Sequence, residues 1–248
     1  MPKIEYGCIK TPAHYKLFSA GGYPMPKDRD TYRWHLHNVT EDIVEHSTVL
    51  AFDRAISIWQ DALNQLPPVG KYLKFESTKD IEKADFVISF GGKEHLFPYW
   101  DDESDQLAYK KCPYDFDGVS GVLAHAWTLE ARHPFGGQMH MDEAEDWGMM
   151  HTHDKKDLLT VFLHEFGHNL GIAHSGEKGA IMYPTYNGRK EYLHKDDIAA
   201  LKAKLGTVKK KVYEKYHLPY EDIRVDRFEM LPDWVQAVLN KMYGNRWS

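Results

Sequence analysis

Residues 164–174 read His-Glu-Phe-Gly-His-Asn-Leu-Gly-Ile-Ala-His, and this segment restricts the local fold more than any other part of the chain. Residues four apart on a helix share a face, so a helix through the segment turns the imidazoles of His164 and His168 toward one point. Glu165 sits one position round, close enough to touch a water at that point without being a ligand. A third ligand cannot come from the same helix face at a suitable angle, so the chain must turn back. Gly171 permits that turn, because a residue without Cβ adopts positive φ at little cost, and His174 then arrives as the third nitrogen. Three protein ligands leave a fourth tetrahedral position open, which distinguishes a catalytic zinc from a closed structural one.

Hydrophobic spacing frames the segment. Ile43, Ala51, Ala55, Ile56, Trp59, Ala62, Leu63 and Leu66 recur at helical spacing and predict one long helix. Glu41 and Asp42 fall in its first turn, where the helix dipole favours acids, and Pro67-Pro68 stops it. Thr31 to Asn38 alternates weakly as a strand, and Phe75, Phe86 to Phe90 and Gly121 to Trp127 read as further strands. Asp157 to Leu170 predicts a second helix bearing the zinc histidines, and Asp196 to Leu205 a third. Strand, helix, strands, helix, helix is an α/β or α+β order with a mixed twisted sheet.

Composition narrows the function classes. A chain of 248 residues buries a full core in one domain with a tail. Its formal net charge of −6 leaves no electrostatic footprint for nucleic acid, and Lys209-Lys210-Lys211 reads as a solvated linker. No apolar run approaches membrane-spanning length and no internal repeat appears. Met1 to Tyr6 lacks the apolar stretch of a secretory signal. Export by another route, prior removal of a signal, and action where the chain is made all stay open. Cys8 and Cys112 are the only cysteines, so no disulfide framework is indicated.

Met182 stands in Gly179-Ala180-Ile181-Met182-Tyr183-Pro184, soon after His174. The extended histidine motif with a following Met-turn is the metzincin signature. The residue after the third histidine is Ser175, and His-Ser followed by Ala-Ile-Met-Tyr-Pro resembles the matrixins, the family of matrix metalloproteinases. Tyr15 to Phe18, Thr31 to Arg33, Asn38 to Thr40, Ala84 to Phe90, Phe116 to Gly118, Gly121 to Ala126, His140 to Trp147, Tyr183 to Tyr186 and Leu193 to Ile198 extend the resemblance over about residues 13 to 206. It implies a zincin-like catalytic domain with a twisted mixed five-stranded sheet and three helices, its cleft between an upper and a lower subdomain. The organisation expected is an N-terminal segment 1–12, a matrixin-like catalytic domain 13–206, and a short helical extension 207–248. In that extension Leu231, Trp234, Val235, Val238, Leu239 and Met242 form an apolar stripe beside Pro232-Asp233 as a start signal. The stripe either packs onto the catalytic domain or offers a partner-binding helix, and the tail is too short for the four-bladed propeller that many matrixins append.

The resemblance implies a zinc-dependent metalloendopeptidase that hydrolyses extended protein or peptide substrates, with Glu165 as the base that takes the proton of the attacking water. A non-catalytic or latent binding protein of the same fold is the alternative, and intact Glu165 speaks against it. Met182 floors the site beneath the three imidazoles. Pro184, Thr185 and Tyr186 line the pocket for the side chain after the cleaved bond, where a hydrophobic residue is expected. Calcium is implied at Asp117, Asp142 and Glu145, with carbonyls of Gly118, Ser120 and Val122, a set of hard oxygens that suits that ion. Matrixins usually work outside cells, so an extracellular monomer is expected.

A second, structural zinc of the family uses three histidines and one Asp. His125 and His140 match two of those positions, and His95 in Lys93-Glu94-His95 resembles the third. The family's Asp lies two residues after that His; here Phe97 occupies the place and an insertion follows. Asp101, Asp102, Asp105 and Cys112 are the candidates for the fourth ligand, a thiolate being acceptable to zinc. Gln138 replaces the Asp of the family's Gly-Gly-Asp, which weakens the case for a second calcium. Cys8 lies in roughly the place of the matrixin propeptide cysteine that blocks the open zinc position, without its flanking Pro-Arg, Gly and Asp. It is either such a switch or a free thiol.

Overall fold

The computed structural model describes residues 29–65, 73–149 and 155–204. Along the chain run β1 (Thr31–Leu36), α1 (Glu45–Gln65), β2 (Lys74–Ser77), β3 (Phe86–Gly91), β4 (Leu96–Asp101), β5 (Gln106–Lys111), β6 (Ala124–Ala126), β7 (Gln138–Asp142), β8 (Trp147–Gly148), β9 (Lys156–Asp157), α2 (Leu158–Asn169) and a final helix α3 over 195–204. The main sheet has five strands in the order β2-β1-β3-β7-β6, parallel except for β6, which runs antiparallel to β7. This is the mixed five-stranded sheet with three helices that the resemblance implies. β3 and β7 are inner strands buried on both faces, so they read as near-continuous apolar runs. β6 ends the sheet, and its outer edge is unpaired within it.

α1 lies across α2 and fixes its position through aromatic edges. Phe52 meets Phe162 at 5.0 Å and Phe166 at 6.2 Å between ring centroids, both T-shaped. Phe166 in turn stands against Phe75 at 5.4 Å and Phe86 at 5.2 Å, which locks α2 onto the sheet. The Trp59 indole N–H donates to the Leu163 carbonyl at 2.9 Å, one residue before the first motif histidine. All of these rings are buried, and each such pair contributes about 1 kcal/mol beyond the area it buries. Phe166→Ala would therefore cost about 3–5 kcal/mol and loosen the helix that carries the site.

Two local readings change. Glu41 and Asp42 precede α1 rather than occupying its first turn, which Glu45 takes. The Asp42 carboxylate instead accepts the Trp147 N–H at 2.8 Å, and the Glu41 N–H donates to Glu143 at 2.9 Å. The strand predicted from Gly121 shrinks to Ala124–Ala126, because residues 118, 120 and 121 take positive φ and form a loop. The insertion after His95 forms the antiparallel hairpin β4–β5, a separate two-stranded sheet. β5 is largely exposed, so no periodic apolar pattern announces it. Cys8, Tyr15 to Phe18, Pro67-Pro68 and the C-terminal stripe lie outside the described residues. Among those described, no helix is long and apolar enough to cross a membrane.

Candidate active site

α2 begins where expected because Asp157 caps it, accepting from the Thr160 N–H at 2.9 Å and the Thr160 hydroxyl at 2.6 Å. Leu170 closes the helix, and Gly171 takes a φ of 80°, the turn-back the motif requires. His164, His168 and His174 thereby come together with one ligand atom of each within 4.8 Å of the others. Their orientation is set from behind: Nδ1 of His164 donates to the Ile181 carbonyl and Nδ1 of His168 to the Ile172 carbonyl, both at 2.8 Å. Those bonds leave the Nε2 lone pairs to face inward, and Nε2 of His168 stands 3.2 Å from Nε2 of His174. The His168 Nε2 lone pair is satisfied by an N–H on His174 or by a shared cation, and an outer N–H on a backbone carbonyl is the usual support of a metal-bound imidazole. Burial holds the rings neutral, lowering His164 to about 3 and His168 well below its ordinary value.

Glu165 is buried beside this cluster, and one of its carboxylate oxygens, Oε2, has no hydrogen-bond partner. Burial pushes its carboxyl up to about 8. Met182 is buried and packs where a Cβ on Gly167 would otherwise stand, with Trp59 beside it. Gly167 thus matters for close approach, which the motif's unspecified positions conceal. Asp197 is a second residue whose role the sequence reading missed. It is buried and accepts from the N–H groups of Ile181 (2.9 Å), Met182 (3.1 Å) and His194 (2.7 Å). His194 precedes α3 and Asp197 is its third residue, so the bond from the His194 N–H has the spacing of a capping box without the Ser or Thr that would announce one.

A cleft of about 830 Å³ opens over the cluster, lined by Leu123 to Ala126 on the β6 side and by Tyr183 to Gly188 opposite. Pro184, Thr185 and Tyr186 all line it. The Tyr186 hydroxyl accepts the Asp157 N–H at 3.0 Å, and the Lys190 N–H donates to the Thr160 hydroxyl at 2.9 Å, so this wall is tied to the first turn of α2.

Behind β6 lies a second cluster, His95, Cys112, His125 and His140, again with one ligand atom of each within 4.8 Å of the others. Asp101, Asp102 and Asp105 stand instead at the far end of the hairpin, where the Asp101 carboxylate accepts from Glu103 N–H and the Ser104 hydroxyl. Among the described residues the acids Asp117, Asp142 and Glu145 are not drawn as close as the members of these two clusters. They do face one another: Asp117 and Asp142 raise the Glu145 carboxyl after burial has done so, and Asp142 Oδ2 and Glu145 Oε1 are buried without a partner. Asp117 accepts the Val122 N–H at 3.0 Å, which folds the loop 117–122 over them. Gln138 donates to the Pro98 carbonyl at 2.9 Å and so tethers β4.

The Matrixin family profile matches residues 26–205. Matrix metalloproteinase-20 of Homo sapiens is 33% identical over 197 residues, covering 78% of this chain and 34% of its own length. Metalloendoproteinase 1-MMP of Arabidopsis thaliana is 33% identical over 207 residues, covering 80% of this chain and 48% of its own. The hatching enzyme of Paracentrotus lividus is 32% identical over 171 residues, covering 68% of this chain and 24% of its own. The chain spans between about a quarter and a half of the length of these relatives. With its profile match, its sheet order and its histidine cluster in agreement, the chain belongs to the matrixin family.

Proposed function

We propose that the chain is a zinc-dependent endopeptidase acting on extended protein or peptide substrates. One observation carries this reading: three inward-facing imidazoles and a buried, partly unpartnered carboxylate lie together on the floor of an open cleft beside a free strand edge. His164, His168 and His174 would hold the zinc. Bound there, zinc supplies Lewis acidity toward a scissile carbonyl and toward an adjacent water. An extended peptide pairs its backbone with the edge of β6, which sets its direction and places one carbonyl over the histidines. Glu165 takes the proton of the attacking water and passes it to the leaving amine. The side chain after the cleaved bond enters between α2 and the Pro184-Thr185-Tyr186 wall, where an apolar residue fits.

His95, His125 and His140 hold a second, structural zinc in this reading. Asp117, Asp142 and Glu145 hold calcium, with carbonyls of Gly118, Ser120 and Val122 completing its shell. The unit spans residues 13–206, works as a monomer outside the cell, and is followed by the extension 207–248, which lies outside the described residues. The test is hydrolysis of a fluorogenic matrixin peptide by the full chain, zinc-loaded and with calcium present, beside Glu165→Gln. Turnover in the wild type, reduced by about 10³-fold or more in the variant at unchanged zinc content, is expected. A zinc-bound wild type that is silent on a panel of peptides would turn the reading to a non-catalytic member of the family.

A further inference from the structure

We propose that Cys112 supplies a thiolate as the fourth ligand of the His95, His125 and His140 centre, so that the metal clips the base of the β4–β5 hairpin shut. The proposal rests on reading those three histidines as zinc ligands and adds the donor that this chain substitutes for a carboxylate. Two features of the sequence make such a donor necessary. Phe97 is buried against Trp127 and Phe135 in the position where a carboxylate would have stood, and the aspartates of the insertion lie at the hairpin's far end. Asp101 is six residues along β4 from His95, on the order of 20 Å at the rise of an extended strand.

The hairpin itself delivers the cysteine. Its register pairs Leu96 with Lys111, so the next residues out, His95 and Cys112, face each other across the base. The Cys112 N–H donates to the His95 carbonyl at 3.0 Å and completes that pairing. Cys112 is buried, and its Sγ stands 3.3 Å from Nε2 of His125. Nε2 of His95 and Nε2 of His125 each stand 3.0 Å from Nδ1 of His140. Tetrahedral zinc with bonds of about 2.0–2.1 Å to nitrogen and about 2.3 Å to sulfur separates its ligand atoms by roughly 3.3–3.6 Å, so a few tenths of an ångström of opening admits the ion. Four protein donors close the shell, which makes this a structural centre, distinct from the three-donor cluster in the cleft. Since the ligands come from the start of β4, the end of β5, and strands β6 and β7, the ion fastens the inserted hairpin to the main sheet.

Cobalt(II) exchanged into the full chain, with calcium present, tests the assignment, because a thiolate ligand gives a near-ultraviolet charge-transfer band that imidazole and carboxylate do not. Wild type and Cys8→Ser should take up two cobalt ions per chain and show the band. Cys112→Ser should lack it, and Cys112→Asp, which restores a carboxylate and keeps the fold, should take up the ion without it. His168→Ala, which strips the cleft cluster, should retain the band. A band that survives Cys112→Ser, or is missing from wild type holding two ions, overturns the thiolate assignment. Uptake of a single ion by wild type, without the band, overturns the reading of the three histidines beneath it.

Discussion

Burial lifts the Glu165 carboxyl to about 8, so in the metal-free protein its ionisation opposes folding. The folded value lies above the ordinary 4.5; Glu165's contribution to stability is therefore full below that pH and is lost as pH rises toward about 8. Glutamine has nearly the same shape and nothing to ionise. Metal-free Glu165→Gln should accordingly exceed wild type by ~2–4 kcal/mol at pH 8, and by less at about pH 6.5, as urea melts at the two pH values would report. Equal stability at pH 8 would remove the buried-charge argument. Gly167 offers the opposite case, a residue with no chemistry whose absence of Cβ lets Met182 and Trp59 approach α2. Gly167→Ala should cost ~1–3 kcal/mol through overpacking and lower kcat/KM by pushing α2, which carries His164 and His168, away from Met182 and Trp59. A thermal melt beside peptide kinetics checks both halves.

At the scale of elements, α3 reaches the chemistry without touching it. Asp197 holds the N–H groups of Ile181 and Met182, and the Ile181 carbonyl holds Nδ1 of His164. Truncation to Ala strands two buried N–H groups and a third that is partly buried, each worth about 1 kcal/mol or more. Asp197→Ala should therefore destabilise by ~3 kcal/mol or more and lower kcat with little change in KM, and Asp197→Asn, keeping one acceptor oxygen, should fall between. A KM effect equal to the kcat effect would mean that the cleft wall, not the zinc ligand, had moved. Legibility in the sequence follows the same division between local and distant. The cleft motif could be read because His164, Glu165 and His168 share one helix and Gly171 turns the chain at once. Asp197 and Cys112 could not be assigned, since one acts through a hydrogen bond to a turn fifteen or so residues earlier and the other through closure of a hairpin with an exposed, aperiodic strand. The beginning of α1 was misjudged for a similar reason: Trp147, remote in sequence, competes for Asp42.

For the whole molecule the two histidine clusters should make folding depend on metal and pH together. Burial is the first cause that lowers His95, His125, His140, His164, His168 and His174, and it takes His125 and His164 to about 3. Each folded value lies below the ordinary 6.5, so the unfolded chain binds these protons more readily. Their contribution to stability is present above about pH 6.5 and is lost as pH falls toward 3. A shift of this size in one ring amounts to on the order of 4 kcal/mol at its limit, and a domain has only about 5–15 kcal/mol in total. Two such rings therefore exhaust much of it, and the chelated protein should unfold between about pH 6.5 and 4 at room temperature. Zinc binds only the deprotonated imidazoles of the folded state, so it should raise Tm most above pH 6.5 and move the acid transition to lower pH as its concentration rises. Calorimetry of the full chain from pH 8 to 4, with chelator and with graded zinc, measures this directly. A metal-free Tm that stays level between pH 7 and 5 would show that the histidines are solvated before unfolding, and that neither cluster is held ready for its ion by the fold.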